Sequence, residues 1–122
     1  MGKPTIVVVD DQPFVCEMVK KILDGIYEVH TFTSGKELLK YIDSNAADFF
    51  LLDYEMPEMT GYEVLMAVRS SKLNGQKPAV FLTAQTNDRM KVEMLERGAN
   101  DYLCKPINSA NLLHCVKEHL SK

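Results

Sequence analysis

Apolar residues in this chain gather into short unbroken runs. Each run is followed by a longer stretch in which apolar residues recur every third or fourth position. Ile6-Val7-Val8-Val9 is the first run. Consecutive β-branched residues with no polar break suit a strand covered on both faces, as in a parallel sheet. The run stops abruptly at Asp10-Asp11, and Pro13 follows where a first helical turn tolerates it. Val15, Val19, Ile22 and Leu23 then repeat at helical spacing up to Gly25. Residues 27–32 read as a second strand. Ser34-Gly35-Lys36-Glu37 has the form of a capping box leading into Leu38, Leu39 and Ile42.

The same alternation continues to the end of the sequence. Phe49-Phe50-Leu51-Leu52 is a third buried strand ending in Asp53, and Thr60-Gly61-Tyr62-Glu63 is a second capping box ahead of Val64, Leu65 and Val68. Asn74-Gly75 marks a turn, and residues 79–82 form a fourth strand ending at Thr83. A helix over residues 87–97 stops at Gly98, which suits a left-handed C-terminal cap. Tyr102-Leu103-Cys104 is a fifth strand ending at Lys105-Pro106, and the last helix is expected to bury Leu112, Leu113, Val116 and Leu120. Five strand–helix pairs with short connections predict a parallel sheet with helices on both faces and right-handed crossovers. The common order for five such units is 2-1-3-4-5. The length of 122 residues fits one domain, residues 1–122.

That order brings chemistry to one place, because ligands of open parallel sheets bind at the carboxyl ends of the strands beside the switch point. The predicted strand ends there carry Asp10, Asp11, Asp53, Thr83 and Lys105. Two unit charges ~5 Å apart repel by about 3 kcal/mol at an effective dielectric near 20. Three carboxylates therefore either raise their pKa values or recruit a cation. An all-oxygen site suits Mg²⁺, with Mn²⁺ as a substitute, better than Zn²⁺, which favours His and Cys. Mg²⁺ held by a few carboxylates usually also contacts a phosphate, so the crevice reads as a phosphoryl site. Taken singly, Asp11 before Pro13 also suits a helix N-cap, and Thr83 an ordinary strand end.

The pieces Val9-Asp10-Asp11, Leu52-Asp53-Tyr54-Glu55-Met56-Pro57, Phe81-Leu82-Thr83-Ala84 and Gly98-Ala99-Asn100-Asp101-Tyr102-Leu103-Cys104-Lys105-Pro106 resemble, in order, those of two-component receiver domains. The likeness extends from Thr5 to about Leu120. It implies a flavodoxin-like (βα)5 three-layer sandwich and phosphorelay signalling. It further implies Asp53 as the phosphoryl acceptor, fed by a histidine kinase or histidine phosphotransfer protein. Asp10, Asp11 and Asp53, with the Glu55 carbonyl, would surround the metal. Lys105 would pair with phosphoryl oxygens beside a cis Lys105-Pro106 bond, and Thr83 and Tyr102 would switch. Glu55 and Gln85 stand where receiver domains vary and tune phosphate lifetime. The output surface would lie around the fourth helix, fifth strand and fifth helix and meet a downstream effector. A receiver modifies itself and is not an enzyme in the usual sense. The alternative from another class is a metal-dependent phosphatase or phosphotransferase with an Asp nucleophile. Haloacid-dehalogenase-type enzymes want a second Asp two residues on, and here that position is Glu55.

Composition narrows the partners. A net charge of −3 argues against general nucleic-acid binding, and no apolar stretch approaches the ~20 residues that span a bilayer. The first residues are too polar to open a signal peptide. Cys16, Cys104 and Cys115 lack C-x-x-C spacing and are expected to be buried free thiols, which suits the cytoplasm. His30, His114 and His119 show no ligand spacing and are expected to be surface or partly packed residues. Met90 and Met94, one helical turn apart, are expected to pack in the core. Nucleotide-loop and zinc-protease motifs are absent.

Overall fold

Strand and helix alternate five times along the computed structural model, which describes residues 2–121. The elements are β1 (Thr5–Val9), α1 (Pro13–Leu23), β2 (Glu28–Phe32), α2 (Gly35–Ile42), β3 (Phe49–Asp53), α3 (Gly61–Ser70), β4 (Ala79–Thr83), α4 (Asp88–Glu96), β5 (Asp101–Cys104) and α5 (Ser109–Leu120). All neighbouring strands pair in parallel, in the order β2-β1-β3-β4-β5. This is the predicted three-layer flavodoxin-like arrangement.

The unbroken apolar runs are explained by two cores, one on each face of the sheet. Ile6, Val8, Phe49, Leu51, Val80 and Leu82 face α1 and α5, where Val19, Leu23, Leu112 and Val116 meet them. Their alternate neighbours Val7, Val9, Phe50, Leu52 and Phe81 face Leu38, Val64, Leu65, Val68 and Met94 from α2, α3 and α4. Side chains on a strand alternate between faces, so a strand buried on both sides must be apolar at every position.

Local chemistry sets most helix starts. At α3 the capping box is complete: Glu63 N–H donates to Thr60 Oγ1 and Thr60 N–H donates to Glu63 Oε1, each at 3.2 Å. At α2 only half of the expected box forms. Ser34 Oγ accepts from Glu37 N–H, but the Glu37 carboxylate takes the Ser34 and Thr33 hydroxyls instead of the Ser34 amide. Asn87 and Asn108 cap α4 and α5. Asp11 is not an N-cap; Gln12 holds that position in α1 without a side-chain bond. Gly98 adopts φ +111°, the left-handed stop expected after α4.

Several expectations change. β2 begins at Glu28, because the Tyr27 amide is already bonded to Leu23 O at the end of α1. On α5 the buried face is Leu112, Cys115, Val116 and His119, while Leu113 and Leu120 are only partly covered. His119 is therefore the packed case among the three histidines, a core-edge residue. Met94 is buried and Met90 partly so. Cys16 and Cys115 are buried free thiols, but Cys104 is exposed. It is the last residue of edge strand β5, where no further strand shields it.

Polar groups tie the loops at the amino ends of the strands. Arg69 donates to the carbonyl of Gly98 at 3.2 and 2.7 Å, to that of Lys77 at 2.7 Å, and to Asn100 Oδ1 at 2.9 Å. The fully buried Asn74 accepts from Ala47 N–H at 2.8 Å and donates to Asn45 O at 3.0 Å. Among the described residues no helix is long and apolar enough to cross a membrane.

Candidate functional site

Parallel pairing in the order seen here aligns the carboxyl ends of β1, β3, β4 and β5 along one sheet edge. Asp10 and Asp11 follow β1, Asp53 closes β3, Thr83 closes β4, and Lys105 follows β5. Carboxylate oxygens of Asp10, Asp11 and Asp53 come within 4.8 Å of one another. Asp10 and Asp53 are buried, at 0% and 2% exposure, whereas Asp11 reaches solvent. Carboxylates from the ends of two strands, β1 and β3, thus meet as expected.

Lys105 Nζ lies 2.9 Å from Asp10 Oδ2 and 3.4 Å from Asp53 Oδ1. The Lys105-Pro106 peptide bond is cis, as the resemblance implied. One ammonium therefore faces two buried carboxylates, with a third at the rim. Burial pushes the Asp53 carboxyl up to about 7, with the charge on Asp10 adding to the rise and Lys105 opposing it. Burial works against the charge on Lys105, but its contacts with Asp10 and Asp53 outweigh that and hold its pKa above the ordinary value.

Two oxygens decide whether a cation fits. Asp10 Oδ2 and Asp53 Oδ2 are buried and accept no hydrogen bond, although the first is in ionic contact with Lys105. Buried carboxylate oxygens without donors are costly, and a hard divalent cation satisfies them together with their excess charge. The acidic set is all oxygen, so a cation of the magnesium type suits it.

The site's walls are built by close packing. Tyr54, Tyr62 and Phe81 form an edge-to-face trio with ring centroids 5.3–5.5 Å apart, directly behind the loop that leaves Asp53. Arg97 from the end of α4 sits 4.3 Å above the Tyr62 ring. Gly61 makes this possible. A Cβ there would stand 2.6 Å from Asp53 O and 2.9 Å from Tyr54 Cα. A tight approach of helix α3 to the backbone of β3 thus requires glycine. Neither the aromatic trio nor the Arg97 contact was expected from the sequence. Tyr54 and Tyr62 do flank the motif there, but nothing in it indicates how they stack.

The remaining expected residues take distinct positions. Thr83 is buried, and its hydroxyl donates to Gln85 O at 2.8 Å rather than reaching the carboxylates. Gln85 and Glu55 are exposed, and Glu55 N–H donates to Asp53 Oδ1 at 3.4 Å. Tyr102 is half-buried on the α4 side of the sheet, with Lys91 Nζ 5.5 Å from its ring centre. A cleft of about 290 Å³ between Asp11, Ser34, Lys36, Met56 and Glu58 flanks the acidic cluster. A larger cleft between α2 and α3 contains none of these residues.

Comparison with known proteins agrees with this geometry. The family model described as response regulator receiver domain matches residues 6–117. The chain is 30% identical over 124 residues to the transcriptional regulatory protein YvrH of Bacillus subtilis, covering 100% of this chain and 51% of that protein. It is similar in structure to the chemotaxis protein CheY4 of Vibrio cholerae, with a TM-score of 0.92, 33% identity, and coverage of 98% and 100% of the two chains. A CheY-like receiver domain protein from Methanospirillum hungatei gives a TM-score of 0.86 at 31% identity, covering 98% and 95%. The chain spans about half the length of several curated relatives that it matches.

Proposed function

The chain belongs to the response regulator receiver family of two-component signalling proteins, and from that membership we propose that Asp53 is its phosphoryl acceptor. The observation that carries this reading is the ion contact of one lysine, Lys105, with two buried carboxylates that share an acidic cluster. Two buried carboxylates that share a single lysine keep an excess of negative charge, which serves no packing purpose and suits a site that takes a cation and a phosphate.

Asp10, Asp11 and Asp53 would hold the ion, with the Glu55 carbonyl as a further oxygen. Bound Mg²⁺, or Mn²⁺ in its place, supplies charge neutralisation for the acidic cluster and for the incoming phosphoryl oxygens. A carboxylate oxygen of Asp53 attacks phosphorus on the donor's phosphohistidine. The P–N bond breaks, and its electron pair leaves with the imidazole, which takes up a proton. Lys105 balances charge on the phosphoryl oxygens. The aromatic trio and Gly61 fix the backbone that aims Asp53. The donor is a histidine kinase or a histidine phosphotransfer protein.

A phosphoryl group adds about −1.5 to −2 charge and three acceptor oxygens. Thr83 then exchanges its bond to Gln85 O for one to a phosphoryl oxygen, and Tyr102 follows inward. The surface that changes lies around α4, β5 and α5. Val92 and Leu95 already stand half-exposed there, which supports contact with a downstream effector. Glu55 and Gln85 tune the lifetime of the phosphate. Residues 1–122 act as one receiver unit, in the cytoplasm, that modifies only itself and contacts neither nucleic acid nor membrane directly.

The test is incubation with Mg²⁺ and acetyl phosphate followed by intact mass measurement. We expect one phosphoryl adduct, removed by hydroxylamine and absent from Asp53→Asn. Sustained release of phosphate from small esters without an adduct would point instead to a phosphatase and overturn the proposal.

A further inference from the structure

A second convergence of metal-ligand chemistry lies at the opposite edge of the sheet. Asp101 opens β5, and Cys115 and His119 lie on one face of α5, four residues apart. That spacing stacks the two side chains on successive turns. One ligand atom from each of Asp101, Cys115 and His119 lies within 4.8 Å of the other two. His119 Nε2 is 3.1 Å from Asp101 Oδ2.

The three groups are held before any ion arrives. Asp101 Oδ1 accepts from Tyr102 N–H at 2.8 Å, which leaves Oδ2 for His119. The His119 ring packs against Phe49, centroids 6.4 Å apart, and is only 8% exposed. Cys115 is 5% exposed. A cleft of about 380 Å³ between Asp48, Lys77, Pro78 and Asn100 reaches His119 and opens to solvent.

We propose that Asp101, Cys115 and His119 form a second metal site, which takes a borderline-soft divalent ion of the zinc type. Sulfur, imidazole nitrogen and a single carboxylate oxygen are the donors that Zn²⁺ and Co²⁺ favour, and Mg²⁺ is poorly served by them. Three protein ligands leave the fourth tetrahedral position to water. On binding, Cys115 Sγ–H releases its proton to solvent and the thiolate bonds the ion, while His119 binds as neutral imidazole. The all-oxygen cluster around Asp53 offers no sulfur, so the two sites take different ions.

The test is titration of the full chain with Co²⁺, using Asp53→Asn to weaken the acidic cluster. We expect a thiolate-to-cobalt charge-transfer band with tetrahedral d–d absorption. Cys115→Ser abolishes the charge-transfer band, and His119→Gln and Asp101→Asn weaken binding at least ~tenfold. Cys16→Ser and Cys104→Ser leave the spectrum unchanged. Should Cys115→Ser fail to fold, His119→Gln decides, because it keeps the thiol. Zn²⁺ should raise the melting midpoint of the parent and not that of His119→Gln. No sulfur band at millimolar Co²⁺, or a band that follows Cys16 or Cys104, overturns the proposal.

Discussion

Removing the charge of Asp53 should stabilise the metal-free protein, and the structure sets the size of the effect. The folded state lifts this carboxyl from 3.8 to about 7, first by burial and then by the charge on Asp10, against the opposing charge of Lys105. Across that window the native state holds a proton that the unfolded state has lost. Stability that is fully present below 3.8 is therefore lost as pH rises towards about 7. At about 1.4 kcal/mol per unit, the whole displacement corresponds to about 4 kcal/mol above pH 7. The attraction of Lys105 offsets part of this, so we expect Asp53→Asn to recover about 2–4 kcal/mol. For a domain of this length that is a rise of about 5–15 °C in Tm.

The substitution also suits the site sterically. Asn keeps an oxygen for the Glu55 amide and brings an N–H donor among buried oxygens that have none. Urea and thermal unfolding in chelator, repeated across the pH window, measure the effect. The parent should weaken as pH rises, and Asp53→Asn should show a much flatter profile. In saturating Mg²⁺ the parent gains about 2.7 kcal/mol at a hundredfold excess over Kd, so the two proteins draw together. Equal stabilities in chelator, with parallel pH profiles, would refute the crowding of charge inferred for this pocket.

Other substitutions probe the same frame. Lys105→Met leaves Asp10 and Asp53 without their cation and should cost about 2–4 kcal/mol in chelator by urea denaturation, with the loss shrinking as falling pH protonates Asp53. Gly61→Ala drives a methyl group against Asp53 O and Tyr54 Cα and should cost about 1–3 kcal/mol, while slowing adduct formation from acetyl phosphate. Arg69→Lys keeps the charge but loses the planar fork that serves Gly98, Lys77 and Asn100, and chemical denaturation should show a loss of about 2–3 kcal/mol. Glu55→Asn removes a carboxylate next to the acceptor and should change the adduct's decay rate severalfold; an unchanged rate rules out its tuning role.

What could be read without coordinates depended on how far each feature reaches along the chain. Ile6-Val7-Val8-Val9 and Phe49-Phe50-Leu51-Leu52 announce strands buried on both faces because each position must serve one core or the other. Asp10, Asp53 and Lys105 were legible because strand ends are local features, and parallel order then carries them to one edge. The hydroxyl of Thr83 was not legible, since its bond to Gln85 O depends on the path of the loop after β4. Arg69, in the last turn of α3, carries no signal in the sequence of what it will bond. Its partners lie on loops that meet it only after α3 and α4 have packed. Cys104 alternates correctly for a strand, but only the sheet's order reveals that its strand is at the rim. His119 went unrecognised for a different reason. Its four-residue spacing from Cys115 is visible in the sequence, yet the third partner, Asp101, sits on another element. A helix pair becomes a candidate site only when a strand supplies the remaining donor. In this fold, then, local pattern selects the residues, and the sheet's order decides which of them meet.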